Sequence, residues 1–232
     1  SIIDTKNELF NFIKNNNGSL FVNDDDDLLV ELSKNIKKTS YGLSSDLNTS
    51  ISSNTPFLNV KWKNAVIKSK LIGEYQFYNV SLAICIGNYF NLSKKNIQFA
   101  IESYIPKNNR SEITETDSNI IIMDAYNANP SSMKAMLDSF AKQDYKNKLC
   151  ILGDMLEMGD FSNEEHAKII KTCQKLEVDT LFVGEEFSKL NNKAFKNLAD
   201  LKSFIKQHPI KNKTILLKGS REIGLEELVS SL

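Results

Sequence analysis

Thr5 to Asn17 sets Leu9, Phe10, Phe12 and Ile13 on one helical stripe that stops at Gly18, which predicts an amphipathic helix. A short apolar run, Ser19–Val22, reads as a strand, and Leu28–Ile36 as the next helix. Between them stand Asn23 and four aspartates, Asp24–Asp27. Such a run can hold a metal, but acids also suit the positive end of a helix, and a solvated helix start is the expected reading. Residues 37–70 change character. Strand-like pieces at Phe57–Trp62 and Ala65–Lys70 lie between Ser/Asn-rich turns, which predicts hairpins rather than crossovers. Helical spacing returns at Phe77–Phe90 and Lys94–Tyr104. Pro106-Lys107-Asn108-Asn109 then breaks the pattern and reads as a linker.

After the linker the rhythm is regular. Apolar runs at Ile120–Met123, Leu149–Leu152, Thr180–Val183 and Thr214–Leu217 alternate with helical stretches near 131–143, 163–176, 198–206 and 222–231. That alternation is the mark of βαβ units and a mostly parallel sheet. Such sheets bind ligands at the carboxyl ends of their strands. Here those ends carry Asp124, Gly153-Asp154, Gly184-Glu185 and Lys218-Gly219-Ser220. The expected fold class is α/β. Residues 1–108 form a mixed sheet with helices, and residues 109–232 a Rossmann-like domain with a mostly parallel sheet.

Composition narrows the function classes. The chain has 232 residues, 29 Lys+Arg against 29 Asp+Glu, and 41% hydrophobic residues. Neither half hides a basic domain: residues 1–108 hold 12 basic and 10 acidic side chains, the remainder 17 and 19. This argues against non-specific nucleic-acid binding. No run approaches a membrane span, and residues 1–30 lack the order of a signal peptide. Cys85, Cys150 and Cys173 form no CxxC pair, and with two His a disulfide framework or structural zinc is not expected.

Three segments carry candidate chemistry. In IIIMDAYNANPSSM (120–133) a strand delivers Asp124 to its end, followed by Tyr126, Asn127, Asn129 and a proline suited to a first helical turn. A carboxylate there can accept from a ribose diol, or Asp124 and Asn129 can cap and turn. In CILGDMLEMG (150–159) Asp154 and Glu157 can hold a cation or a substrate ammonium, or cap the next helix. In LKGSREIGLE (217–226) Lys-Gly-Ser opens a helix at a strand end, which suits an anion or a plain capped turn. His166 is expected half-buried on a helix, and His208, before Pro209, incidental. The sequence contains no G-x-x-x-x-G-K-[ST], G-x-G-x-x-G or G-x-S-x-G.

DAYNANPSSM (124–133), ILGDMLEMG (151–159) with His166 soon after, and LLKGSRE (216–222) with Glu226 occur in order. Together they resemble the carboxyl half of the Mur ligase family, in its D-alanyl-D-alanine-adding branch. LFVNDDDDLL (20–29), LIGEYQFYN (71–79) and NNRSE (108–112) resemble the second half of that family's central ATPase domain, so the likeness covers nearly the whole chain. It implies ATP-dependent amide formation with Mg2+, joining D-alanyl-D-alanine to UDP-N-acetylmuramoyl-tripeptide through an acyl phosphate. By the same likeness Asn79 contacts adenine, with Gln76-Phe77 standing where the family has His-Asn. Asp124 binds the ribose, and Tyr126, Asn127 and Asn129 belong to the motif beside it. Arg110 is the hinge arginine that reaches the phosphates on closure. Asp154, Glu157, Lys218 and Ser220 shape the D-alanyl-D-alanine side. No metal ligand is assigned.

The family's phosphate loop, Mg-binding residues and UDP-binding domain match nothing in this sequence. The expectation is therefore a carboxyl-terminal piece of a bacterial cytoplasmic ligase, inactive alone, monomeric, and engaging neither nucleic acid nor membrane. The alternatives are another Mur-type ligase, a folylpolyglutamate synthase, or a non-catalytic nucleotide- or partner-binding α/β module.

Overall fold

The computed structural model describes residues 2–107 and 109–232, and its chain divides into two compact units, Ser1–Tyr104 and Ile105–Leu232. Asn108, at the expected step between the two parts, lies outside the described residues.

In the first unit α1 (Ile2–Asn15) stops where Gly18 donates its N–H to Ile13 O at 2.8 Å. Strand β1 (Ser19–Asn23) leads through α2 (Asp27–Leu32) into β2 (Lys37–Tyr41), which lies parallel to β1 with Ser19 opposite Lys37. Helix α2 is shorter than expected because buried Ser33 caps it and the chain turns directly into β2. The aspartates do helix-start and loop work. Asp26 Oδ1 accepts from Leu29 N–H at 3.1 Å, while Asp25 accepts from Leu43 N–H (2.6 Å) and Ser44 N–H (3.0 Å). Burial pushes the Asp25 carboxyl up, but these bonds and one from Tyr78 outweigh it and hold it below its usual range.

Strands β3 (Thr49–Ser53), β4 (Asn59–Trp62) and β5 (Ala65–Lys68) form an antiparallel sheet in that order. Val60, Trp62 and Ile67 point inward at period two and pack with Leu58 against α3 (Phe77–Tyr89) and α4 (Lys94–Ser103) through Phe77, Val80, Ile84 and Ile97. Ser93 caps α4 by accepting from Asn96 N–H.

The second unit opens with β6 (Glu112–Glu115), antiparallel to β7 (Ile120–Asp124). There follow α5 (Pro130–Lys142), β8 (Lys148–Gly153), α6 (Ser162–Leu176), β9 (Asp179–Val183), α7 (Glu185–Leu190), α8 (Leu198–Gln207) and β10 (Thr214–Lys218). The sheet order is β6-β7-β10-β8-β9, with β7 to β9 and β10 parallel, so the last strand slots between β7 and β8. Ile121, Met123, Leu149, Ile151, Ile215 and Leu217 face a core shared with Leu201 and Ile205 of α8 and with Leu225 and Leu228. The alternate positions, such as Ile122, Cys150 and Leu216, are also buried, which is why these strands read as unbroken apolar runs. The expected final helix is instead 3-10, Leu225–Ser231, and its buried Leu225 and Leu228 match three residues per turn.

Candidate functional site

The carboxyl ends of β7, β10 and β8 lie side by side, and the residues singled out from the sequence cluster there. Lys218 is the register partner of Asp124. Its ammonium, 1% exposed, lies 2.7 Å from Asp124 Oδ2 and also donates to Asn127 O (3.3 Å) and Asp124 O (3.5 Å). Burying a lysine is costly without a counter-charge, and Asp124 supplies it. The ion pair therefore fixes the loop that follows β7. Asn127 is exposed in that loop. Asn129 is the N-cap of α5: its Oδ1 accepts from Ser132 N–H at 2.9 Å, and Ser132 Oγ accepts in return from Asn129 N–H. Asn129 thus takes the capping role that its sequence position also allowed.

Tyr126 carries the cationic side of the site. The Arg110 guanidinium lies 3.8 Å from the centre of its ring, and that of Arg221 5.7 Å from it. Both arginines are exposed. Arg221 was not singled out from the sequence, although a cation directly after Lys218-Gly219-Ser220 at a strand end was the available signal.

Asp154 departs from expectation. It is 2% exposed, and its oxygens accept from Glu186 N–H (2.8 Å) and Phe187 N–H (3.0 Å) at the start of α7. Its carboxylate is committed to the start of that helix. Ser220 is equally internal: its Oγ accepts from Leu156 N–H (2.9 Å) and its N–H donates to Asp154 O (3.0 Å). Gly219 permits this join, because a β-carbon there would stand 2.9 Å from Gly153 Cα. Of the four residues expected on the D-alanyl-D-alanine side, Lys218, Asp154 and Ser220 are buried in these contacts. Glu157 is exposed, with φ +63°.

His166, expected half-buried, is fully buried. Met155 N–H donates to its Nε2 (3.0 Å) and its Nδ1 donates to Ser162 O (2.7 Å), which fixes a neutral ring. Its 3.7 Å approach to Asp154 is therefore no ion pair. His208 stacks on Phe204 at the end of α8. Beside the β8 and β9 ends opens a cleft of about 410 Å³, lined by Asp154, Leu156, Gly184, Glu185, Lys196 and Glu222 among others. In the first unit Asn79 is exposed on the first turn of α3 and donates to Gln76 Oε1 at 2.7 Å. Among the described residues no group of three His, Cys, Asp or Glu could hold a metal ion. No helix among the described residues is long and apolar enough to cross a membrane.

A largely parallel sheet with helices on both faces and polar residues gathered at its carboxyl edge defines an α/β ligand-binding module. Residues 109–221 match the glutamate ligase domain of Mur ligases, and residues 1–87 match the Mur ligase middle domain. The chain thus belongs to the Mur ligase family. It is 27% identical to the UDP-N-acetylmuramoyl-tripeptide–D-alanyl-D-alanine ligase of Bacillus subtilis, over an alignment covering all of this chain and 54% of that protein. A crystal structure of MurF from Acinetobacter baumannii superposes with a TM-score of 0.74 at 25% identity, covering 93% of this chain and 52% of that one. MurF of Thermotoga maritima, solved in complex with ADP, shares the fold at 17% identity and a TM-score of 0.74, covering 92% and 52%. The chain spans about half the length of these relatives.

Proposed function

We propose that this chain is part of an ATP-dependent ligase that joins D-alanyl-D-alanine to UDP-N-acetylmuramoyl-tripeptide in a bacterial cytoplasm. Residues 1–108 contribute the second half of its middle domain, and residues 109–232 its carboxyl-terminal domain. The observation that carries the reading is the convergence of Asp124, Tyr126 and Arg110 at one strand end, in a chain whose full-length alignment is to a ligase of that name.

The tripeptide carboxylate takes the γ-phosphoryl group of ATP, and ADP leaves. The dipeptide amine then attacks the acyl phosphate, an amide forms, and phosphate departs. Asp124 keeps an oxygen for the ribose hydroxyls while its other oxygen is tied to Lys218. Arg110, seated on Tyr126, meets negative charge on the transferring phosphoryl group. Magnesium, held by residues other than those described here, would screen the phosphate charge.

The test is ADP release by the full-length ligase with UDP-N-acetylmuramoyl-tripeptide and D-alanyl-D-alanine, compared with single amino acids and with glutamate on a folate. Release confined to the dipeptide is expected. Release driven by a single amino acid or by the folate pair would assign the chain to another Mur-type ligase or to a folylpolyglutamate synthase. Asp124→Ala is expected to raise the KM for ATP.

A further inference from the structure

We propose that Lys218 is a positioning residue for the nucleotide ribose, acting through Asp124, and not a contact to the dipeptide. The inference rests on the ribose role given to Asp124 above.

Lys218 has no access to a ligand. Its side chain is 1% exposed, beneath the loop that joins β7 to α5. All three bonds from its ammonium go to the end of β7 and the loop after it: to Asp124 Oδ2, Asp124 O and Asn127 O. An ammonium has three donors, so its capacity is used within the protein. Asp124 differs, at 15% exposure. One of its oxygens is pinned from below at 2.7 Å, which fixes the plane of the carboxylate and the direction of the other. An acceptor held in this way loses little freedom when a hydroxyl arrives, whereas an unpaired carboxylate on a mobile loop would have to be ordered first.

The arrangement depends on strand order. Lys218 meets Asp124 because β10 inserts beside β7, register partner to register partner. The same lysine keeps the start of the loop in place through Asn127 O, which supports Tyr126 between them.

The experiment compares ATP with its 2′-deoxy and 3′-deoxy analogues in the full-length ligase, for wild type, Asp124→Asn, Lys218→Met, Lys218→Arg and the double variant Asp124→Asn/Lys218→Met. Wild type is expected to prefer ATP over at least one analogue by about tenfold in kcat/KM, the order expected for a hydrogen bond to a charged group. Lys218→Met is expected to lose most of that preference with the KM for D-alanyl-D-alanine unchanged, and Lys218→Arg to restore part of it. The double variant is expected to match Asp124→Asn. A general loss of packing would lower turnover with all three nucleotides alike and leave their ratio intact, and that outcome overturns the proposal. So does full ribose preference in Lys218→Met with a raised KM for D-alanyl-D-alanine, which would make Lys218 a dipeptide contact. If Lys218→Met does not fold, the neutral double variant decides: equality with Asp124→Asn supports the proposal, and a further loss of preference overturns it. Full preference in Asp124→Asn would instead sink the ribose reading of Asp124 itself.

Discussion

Asp154 lies so close beneath Gly184 that a β-carbon on the glycine would fall 2.2 Å from the Asp154 carboxyl carbon. Gly184 also holds φ at +131°, where side chains are strained whatever the space. The pair joins the end of β8 to the start of α7, and the carboxylate reaches the Glu186 and Phe187 N–H groups only because nothing projects from Gly184. Gly184→Ala is therefore expected to destabilise the carboxyl-terminal unit by at least about 1–3 kcal/mol from backbone strain alone. Urea unfolding of the chain measures it, and an unchanged midpoint would contradict the geometry.

Asp154→Ala separates a structural role from a substrate role. It leaves two N–H groups at the start of α7 without their acceptor, in a nearly water-free spot. A loss of about 1–3 kcal/mol in stability is expected. Well below the melting temperature, the KM for D-alanyl-D-alanine in the full-length ligase is expected to stay within a small factor. A large rise in that KM with normal stability would return Asp154 to the substrate.

Strands β7, β8 and β10 were readable because both of their faces are largely buried, so Ile121–Met123 and Ile215–Leu217 are unbroken apolar runs that lead to Asp124 and Lys218. Strands β2, β3 and β6 were not. KKTSY, TSISS and EITE have little buried surface and hence no apolar alternation to read. Helix α7 has six residues and a single buried anchor, Phe187, too short for a period. At the site, Asp124 was legible as a carboxylate at a strand end. Its partner was not, since Lys218 is 94 positions away and meets it only through the insertion of β10 between β7 and β8. For Asp154 and Ser220 the residue types suited a ligand and a scaffold equally well, and only burial separates the two.

Arg110 and Arg221 are expected to act on charge that develops during the reaction. Both are exposed around one ring, Tyr126, and neither has a carboxylate within ion-pair distance among the described residues. Arg110→Ala is expected to lower kcat of the full-length ligase by more than it raises the KM for ATP. Arg221→Ala is expected to do the same to a smaller degree, given its greater distance from the ring. Normal turnover with weakened ATP binding in either variant would mark a static ground-state contact.

Thiol burial sets an alkaline limit on stability. Burial pushes Cys173 up to about 11 from an ordinary 9.0, and raises Cys150 and Cys85 as well. The folded chain thus keeps protons that the unfolded chain releases, so stability is fully present below pH 9 and falls as pH rises through 11. Urea midpoints measured from pH 8 to pH 11 check this. Cys173→Ala is expected to flatten the decline, and an equal slope in that variant would assign it to other groups.

Nucleotide binding by these 232 residues alone is expected to be weak. Phosphate groups supply most of the charge on ATP, and a loop of backbone N–H groups with a lysine is the usual means of cradling them. This sequence has no G-x-x-x-x-G-K-[ST] and no G-x-G-x-x-G. What its second unit offers are the pinned carboxylate of Asp124 and two arginines around Tyr126. Hydrogen bonds to base and ribose contribute about 0.5–1.5 kcal/mol each once exchanged against water. A few of them, offset by the loss of ligand freedom, give a Kd near 1 mM, or about −4 kcal/mol. Calorimetric titration of the purified chain with Mg-ATP measures this, and an ADP-release assay with both acceptor and dipeptide measures turnover. Heat consistent with micromolar binding, or ADP release above a protein-free blank, would place a phosphate cradle within these residues and undo the assignment of Asp124 and Arg110 to a site that needs one from elsewhere.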